Sequence, residues 1–455
     1  MKSGTLPSGL TYAVSRSNSA VGYCSITIKA GTRYEDGFPA GTAHFVEHAL
    51  FRGTRKKTAG TINSYLDRLG GELNAYTTKE EIVLHASVLK EDLRRAASLL
   101  FELATEPVFP ERGIETERGI VLDEILSYKD NPVEEVYDRF EGALFKDHPL
   151  GTPILGTTSS VKRITRAHLA RFRDLLFTPE RMTLSLVADM DESALESLAE
   201  KLSGRFFPEG ACGQVSSSGT SLTGLSFPSK PRPLDGLGNG APENPRIFGV
   251  SRPRAAKPPE DTCPSGSNNR VIPFRKVFDK RHHEANVVMG NLAPGLYDGK
   301  ERIVTALLCN ILGGPASNSL LGKSLRESKG LVYSIECSYT QYIEAGIVAI
   351  TFGCDRVNLE KCRSAVDSIL GKIRTAPLSE RTLKAYRKQF LAQMAVSSDN
   401  GEARCLSMGK SMSSFGKVLS SKETREMVEA VSADDLLRVA GRIFDPEEIS
   451  VIEYL

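Results

Sequence analysis

Residues 41–54, GTAHFVEHALFRGT, place two histidines and a glutamate inside a short apolar segment with the composition of a helix. On a helix, His44 and His48 are one turn apart and stack on one face, and Glu47 lies beside them. Burying three such side chains is costly unless something binds them. The pattern therefore indicates a metal site.

Two imidazoles on successive turns can share one Zn²⁺, each at about 2.0–2.1 Å. Zinc lowers the pKa of a bound water to about 7, and Glu47 is placed to take the proton of that water. Hydrolysis follows from this pair, provided that a third protein ligand completes the site. The order H-x-x-E-H inverts the H-E-x-x-H arrangement and is typical of inverzincins. Thr42 and Gly53 suit the N-cap and the C-terminal stop of the helix.

The composition is that of a soluble globular protein, with 455 residues, 40% hydrophobic and 25% charged. This length predicts two domains, each with its own core. A formal charge of +2 gives no indication of a nucleic-acid partner or an acidic membrane surface. The N-terminal residues lack an apolar signal core and the apolar runs are too short to span a membrane, so we expect a cytoplasmic protein.

The eight cysteines are scattered and form no C-x-x-C pair. This spacing argues against a zinc ribbon or a dithiol redox centre, so free and mostly buried thiols are expected.

The periodicity predicts the same order of elements in both halves of the chain: two strands, two helices, two strands and then further helices. Between the halves lies a segment rich in Ser, Pro and Gly, where only IFGV at 247–250 suggests a strand. We therefore predict an α+β protein of two similar lobes, each a mixed sheet packed by helices. The expected division is 1–208 for the N-terminal domain, 209–270 for a linker and 271–455 for the C-terminal domain.

HFVEH at 44–48, followed by ERGIETERGIVLDEI at 111–125, resembles the M16 metallopeptidases, the group of pitrilysin, insulin-degrading enzyme and mitochondrial processing peptidase. The resemblance covers nearly the whole chain apart from the linker. It implies a duplicated roll fold, one zinc ion per chain and Glu124 as the third ligand. Glu117, two helical turns before Glu124 and on the same face, is implied to orient a ligand imidazole.

The resemblance also implies residues that contact a peptide substrate. GGELNAYTTKEEIVLHASV at 70–88 is similar to the family's edge strand, which pairs with the substrate backbone, and points to Asn74, Ala75 and Tyr76. SNSLLGKSLRESKGLVYSI at 317–335 is similar to a segment whose arginine and tyrosine reach the substrate, here Arg326 and Tyr333. An ordinary buried hairpin for the first segment, and a helix-surface charge for Arg326, are the alternatives.

The resemblance predicts a zinc endopeptidase that cuts extended peptides or unfolded segments held between two lobes. A non-catalytic or partner-dependent subunit, with a peptide-binding or scaffolding role, is the alternative. The presence of every ligand and of Glu47 favours the enzyme. No second H-x-x-E-H occurs, so the C-terminal domain is expected to be metal-free. Short family members commonly pair, which is compatible with a homodimer, but the sequence leaves the oligomeric state open.

Overall fold

The computed structural model of the chain describes residues 1–208, 272–280 and 283–455. The strands in these residues are β1 Lys2–Thr5, β2 Thr11–Arg16, β3 Val21–Ile28, β4 Glu72–Thr77, β5 Ile82–Leu89, β6 Met182–Ala188, β7 Arg275–Phe278, β8 Glu284–Ala293, β9 Ser334–Gln341, β10 Gly346–Asp355 and β11 Ser450–Tyr454. The α-helices are α1 Thr42–Leu50, α2 Ala59–Asp67, α3 Leu93–Thr105, α4 Glu111–Lys129, α5 Pro132–Leu144, α6 Thr158–Val161, α7 Arg166–Leu176, α8 Glu192–Phe206, α9 Gly299–Gly313, α10 Leu359–Thr375, α11 Glu380–Asp399, α12 Gly401–Phe415, α13 Ser421–Glu429 and α14 Ala433–Ile443.

The N-terminal half contains a six-stranded sheet in the order β1-β2-β6-β3-β5-β4. β2 and β6 are parallel, and the long helical connection that precedes β6 permits this pairing. All other neighbouring strands in this sheet are antiparallel. All seven residues of β6 are buried, as expected for a central strand covered on both faces. β4 forms one edge of the sheet, and its residues alternate between exposed and half-buried.

The C-terminal half repeats this topology with five strands in the order β7-β11-β8-β10-β9. β7 and β11 form the parallel pair, and β9 occupies the edge position that β4 has in the first sheet. The prediction of two similar lobes, each a mixed sheet packed by helices, is confirmed. The predicted linker, with the strand expected at 247–250, lies outside the described residues, so the domain boundaries stay a prediction.

The two halves exchange one helix each. α5, from the N-terminal half, packs against β8, β10 and β11, whereas α12, from the C-terminal half, packs against β2, β3 and β6. The approach of α12 is close, because a Cβ atom at Gly409 would lie 2.8 Å from Thr27 Oγ1 and 3.0 Å from Ser185 Oγ. Each sheet therefore completes its packing with a helix from the other half.

Buried polar contacts also join the halves. Lys79 Nζ lies 3.0 Å from the carboxylate of Glu141, and both side chains are almost fully buried. The hydroxyl of Tyr342, in the turn between β9 and β10, donates to the same carboxylate. Arg33 of the N-terminal half forms two hydrogen bonds with Glu344, at 2.7 and 2.8 Å. Losing one partner of such a buried pair would leave an uncompensated charge, so these contacts fix how the halves meet.

Several details differ from the sequence predictions. Thr42 is not the N-cap of α1, because Gly41 holds that position and the Thr42 hydroxyl donates to the Pro39 carbonyl instead. The helix ends at Leu50, and Gly53 lies beyond it in an isolated bridge with Thr58. The segment that carries Arg326 is π-helical over Gly322–Ser328. β1, α5, α6 and α7 were not predicted.

The cysteines in the described residues are free and buried, as predicted: Cys24, Cys309, Cys337, Cys354, Cys362 and Cys405. None of the helices in the described part of the chain combines the length and the apolar character needed to cross a membrane. The cytoplasmic location stays a prediction.

Candidate metal centre

The packing of α1 against α4 brings His44, His48 and Glu124 together. Phe45, Val46, Ala49 and Leu50 fill the apolar side of α1 and are fully or almost fully buried. This burial fixes the rotation of the helix and turns both histidines towards α4. The two imidazole centroids are 4.6 Å apart.

The distances within this group suit one small cation. Glu124 Oε2 lies 3.6 Å from His44 Nε2 and 3.6 Å from His48 Nε2. Ligand atoms at about 2.0–2.1 Å from a tetrahedral zinc ion are about 3.3–3.4 Å from one another. A single ion could therefore touch all three atoms with little movement of the side chains.

Glu124 Oε2 is itself buried and has no hydrogen-bond partner among the described residues. A buried carboxylate oxygen without a partner carries a desolvation penalty, which a bound cation would offset. The donor set of two imidazoles and one carboxylate is the set found in catalytic zinc sites that leave one position open. The residues present thus fit zinc.

Glu117 holds the second histidine in place. Its Oε2 lies 2.9 Å from His48 Nδ1, and its Oε1 accepts a hydrogen bond from Arg52 Nε. Burial raises the pKa of Glu117, but the hydrogen bonds from His48 and Arg52 outweigh this effect and leave the pKa below its usual value. With Nδ1 bonded to Glu117, the Nε2 atom of His48 is the one directed at Glu124.

The two histidines differ in their surroundings. Burial, together with the neighbouring His48, lowers the pKa of His44 to about 3, so this imidazole is neutral, as a metal ligand must be. Burial also opposes the charging of His48, but the hydrogen bond to Glu117 and the nearby carboxylates raise its pKa overall. His44 Nδ1 is buried and has no hydrogen-bond partner in the part of the chain that the structure describes.

Glu47 extends from α1 towards β4. Its Oε2 accepts a hydrogen bond of 2.6 Å from Thr77 Oγ1, at the end of that strand. Burial raises the pKa of Glu47, which makes the carboxylate a better proton acceptor than an exposed one. A recess of about 210 Å³ opens beside it and is lined by Glu47, His48, Phe51, Arg52, Asn63 and Glu117.

The predicted substrate residues Asn74, Ala75 and Tyr76 lie on the edge strand β4. Among the described strands β4 pairs only with β5, so its outer backbone edge is free of strand pairing. Ala75 packs against the core, whereas Asn74 and Tyr76 point to the exposed face, with Tyr76 39% exposed. The strand is an edge strand rather than a buried one, and its role in binding stays a prediction.

Arg326 and Tyr333 do not contact the metal group. Arg326, in the π-helical segment, pairs with its neighbour Glu327 at 2.9 Å. Tyr333 is 58% exposed and donates a hydrogen bond of 2.8 Å to Asp355. Both side chains lie on the C-terminal half and are accessible from outside.

The sequence prediction missed two residues that support this site. Arg52 follows His48 by one turn, so its place on the ligand face could have been found from spacing alone. Thr77 lies thirty positions from Glu47, and no local pattern indicates their contact.

Two family models match the chain. One, described as insulinase (peptidase family M16), matches residues 11–158, and the other, described as peptidase M16 inactive domain, matches residues 163–390. The chain belongs to the M16 family of peptidases. The first model covers the H-x-x-E-H helix and Glu124, and the second covers most of the C-terminal half.

Similar M16 proteins are named zinc proteases. An uncharacterized zinc protease of Rickettsia bellii (strain RML369-C) is 26% identical over 443 residues, covering 97% of this chain and 94% of that protein. An uncharacterized zinc protease of Mycobacterium tuberculosis (strain ATCC 25618 / H37Rv) is 28% identical, covering 96% of this chain and 90% of that protein. These names support zinc as the cofactor of this M16 chain.

Solved structures share the fold. A protease from Helicobacter pylori superposes with a TM-score of 0.81 at 18% identity, covering 100% of this chain and 99% of that chain. A putative M16-like peptidase from Alicyclobacillus acidocaldarius has a TM-score of 0.76 at 17% identity, covering 100% of this chain and 97% of that chain. At this identity, the likeness bears on the fold alone.

Proposed function

We propose that this chain is a zinc-dependent endopeptidase with His44, His48 and Glu124 as its metal ligands. The observation that carries the proposal is the partnerless Glu124 Oε2, which lies 3.6 Å from the Nε2 atoms of both histidines. An ion pair network without a metal would leave this buried oxygen uncompensated, whereas a cation between the three atoms satisfies it.

Bound zinc would supply a Lewis acid that acidifies a coordinated water and polarises the scissile carbonyl. The chain's own residues supply the rest of the chemistry. Glu47 accepts the proton of the attacking water and returns it to the leaving amine, and Thr77 orients the Glu47 carboxylate. Glu117 keeps the proton of His48 on Nδ1, and Arg52 balances the charge of Glu117.

The substrate in this proposal is an extended peptide or an unfolded segment. Its backbone pairs with the free edge of β4, which joins the metal site through the contact of Thr77 with Glu47. Main-chain hydrogen bonds of this kind give affinity with little choice of sequence. Asn74 and Tyr76 would contact side chains of the bound peptide on the exposed face.

Arg326 and Tyr333, on the C-terminal half of a second copy of the chain, would stabilise the bound substrate. Both side chains are exposed, so they are accessible to a peptide that lies against a second copy of the chain. We therefore include a homodimer in the proposal. Sedimentation of the purified protein at several concentrations tests it, and a monomer at every concentration that still cleaves peptides would remove it.

The decisive experiment compares the parent protein with Glu47→Gln. We expect the parent to hold one zinc ion per chain by elemental analysis and to cleave an unfolded, fluorescently labelled polypeptide. Glu47→Gln should keep the zinc and lose cleavage, because the amide cannot accept the proton. Glu200→Gln, an exposed position of the same charge type on α8, serves as the control. Cleavage by Glu47→Gln at the parent rate would instead favour the scaffolding role.

A further inference from the structure

Glu35 lies beneath the first turn of α1, outside the metal group. Its side chain is 8% exposed, and it accepts hydrogen bonds from two backbone amides, Gly41 N at 3.0 Å and Ala43 N at 2.7 Å. The first amides of a helix have no partner within the helix, and α1 has no capping side chain at its own N-cap. Glu35 fills that role from six positions upstream.

The chain around this helix start allows little adjustment. Gly41 has a left-handed backbone (φ 88°), and a Cβ atom there would lie 2.7 Å from the Leu155 carbonyl oxygen. A Cβ atom at Gly156 would lie 2.3 Å from the Ala40 carbonyl oxygen, to which Ser160 Oγ also donates at 2.7 Å. The start of α1 is thus held between this backbone crossing and the carboxylate of Glu35.

Each of the two carboxyl oxygens of Glu35 accepts one of these amide hydrogen bonds. Burial raises the pKa of Glu35 to about 8, while the amides of Ala43 and Gly41 and the charge of Lys79 act in the opposite direction. The hold of Glu35 on α1 therefore rests on the two hydrogen bonds and does not need a full negative charge.

The two metal-binding histidines are held in different ways. His48 has Glu117 on its Nδ1 atom, whereas His44 Nδ1 is buried without a hydrogen-bond partner. Within the described residues no hydrogen bond to Nδ1 fixes the ring of His44, so its position depends more on the backbone that carries it. That backbone follows directly on Ala43, one of the two residues that Glu35 binds.

We propose that Glu35 is a positioning residue of the metal centre, which acts through the amides of Gly41 and Ala43 to fix where His44 presents its imidazole. The inference rests on the proposed function, because it assigns Glu35 a role in zinc binding. It extends that function to a residue that lies outside the H-x-x-E-H motif and touches neither the metal group nor the substrate strand in the described residues.

The test measures two properties of Glu35→Gln and Glu35→Asp. Zinc affinity is measured by competition with a chromogenic chelator, and amide hydrogen exchange of residues 41–44 is measured on the zinc-free protein. Because supporting residues of metal ligands typically contribute 10–100-fold to affinity, Glu35→Gln should bind zinc about 10–100-fold more weakly and exchange these amides faster. Glu35→Asp keeps both acceptor oxygens on a shorter side chain and should lose less. If the Gln variant does not fold, the same measurements on Glu35→Asp decide.

Glu453→Gln is the matched control. Glu453 is fully buried, pairs with Arg363 and Arg275, and lies on β11 of the C-terminal half. This variant should lose stability without any change in zinc affinity or in the exchange of residues 41–44. Zinc affinity of Glu35→Gln equal to the parent's, or an equal loss in Glu453→Gln, would overturn the inference.

The proposed function can fail separately. If the parent binds no zinc, the peptidase assignment falls, and hydrogen exchange alone decides the remaining claim about the helix. Faster exchange at 41–44 in Glu35→Gln would then support the hold of Glu35 on α1, and unchanged exchange would overturn it.

Discussion

The N-terminal and C-terminal halves have the same strand order, yet the helices that follow the equivalent strands β3 and β8 carry different kinds of side chain. In the N-terminal half this helix is α1, which carries His44, Glu47 and His48. In the C-terminal half it is α9, whose inward positions include Val304, Leu307 and Leu308, all fully buried. Within the described residues, His44, His48 and Glu124 form the one group with metal-ligand geometry.

The comparison of α1 with α9 distinguishes the side chains that the fold needs from those that the metal chemistry needs. Both helices bury an apolar face against a sheet, and this burial is sufficient to keep them in place. On α1 part of the packed surface is given to ionisable groups, which leaves His44 Nδ1 and Glu124 Oε2 buried without partners. The site therefore costs stability, which the apolar packing of α1 offsets, and α12 of the C-terminal half adds packing to the sheet of the same lobe.

The strongest test of this separation is Glu124→Ala. We expect the variant to lose zinc and all peptide cleavage, because two imidazoles alone do not complete the site. The zinc-free variant should be at least as stable as the zinc-free parent, because it lacks a buried oxygen without a partner. Elemental analysis, cleavage of an unfolded reporter and urea denaturation measure the three quantities. Retention of stoichiometric zinc would break the assignment of Glu124 as a ligand.

Leu308→Ala on α9 should show the reverse behaviour. Removing a fully buried leucine side chain typically lowers the free energy of unfolding by about 2–5 kcal/mol. The zinc content per folded chain should not change, because no ligand lies on α9. Urea denaturation of the zinc-free protein gives the stability. Loss of zinc from the folded variant would show that packing in the C-terminal half affects the metal centre in the N-terminal half.

Glu117→Gln should have an intermediate effect confined to the metal centre. The amide can still meet His48 Nδ1 but loses the charge, so zinc affinity should fall about 10–100-fold. Glu115→Gln is the control, because Glu115 lies on the exposed side of the same helix and pairs with Arg118. Chelator competition measures both. Equal affinities in the two variants would contradict a role for Glu117 in holding His48.

The edges of the two sheets offer a finer comparison. Thr77, at the end of β4, donates to Glu47 at 2.6 Å, whereas Thr340, near the end of β9, bonds to the Tyr137 hydroxyl at 3.1 Å. Thr77→Val should lower kcat about tenfold, since a hydrogen bond to a charged group contributes about 1.5 kcal/mol. Thr340→Val should leave kcat unchanged, and Thr77→Ser should restore it. A normal kcat in Thr77→Val would show that Glu47 needs no such support.

The features that could be predicted from the sequence are those that depend on local periodicity. Both the spacing of His44 and His48 and the alternation in the strands involve residues close together in the chain, so they can be recognised without coordinates. The third ligand needed the family resemblance, because the helix that carries Glu124 lies far along the chain. Even so, the three groups lie close enough for one ion to join them.

The contacts that the sequence could not predict are pairings between distant segments. The amphipathic pattern of α12 shows that one face is buried, but not that the sheet it covers belongs to the other half. Glu35 is equally uninformative in sequence, because a carboxylate that caps a helix six residues away does not follow the usual N-cap pattern. These long-range choices decide how the site is held.

The contact between the halves is tested through its dependence on pH. Burial raises the pKa of Glu344, but its hydrogen bonds with His148 and Arg33 outweigh burial and lower the pKa to about 2. Since the folded pKa lies below the unfolded value of 4.5, this group stabilises the fold above pH 4.5, and the contribution is lost as the pH falls towards 2. Glu344→Gln should therefore be less stable than the parent at pH 7, and the difference should shrink steadily below pH 4.5. Urea midpoints of both zinc-free proteins across this range measure it. A difference in stability that stays constant over this range would mean that the shape of the Glu344 side chain, and not its charge, contributes to the contact between the halves. The buried contacts of the exchanged helices would then be sufficient to join the halves.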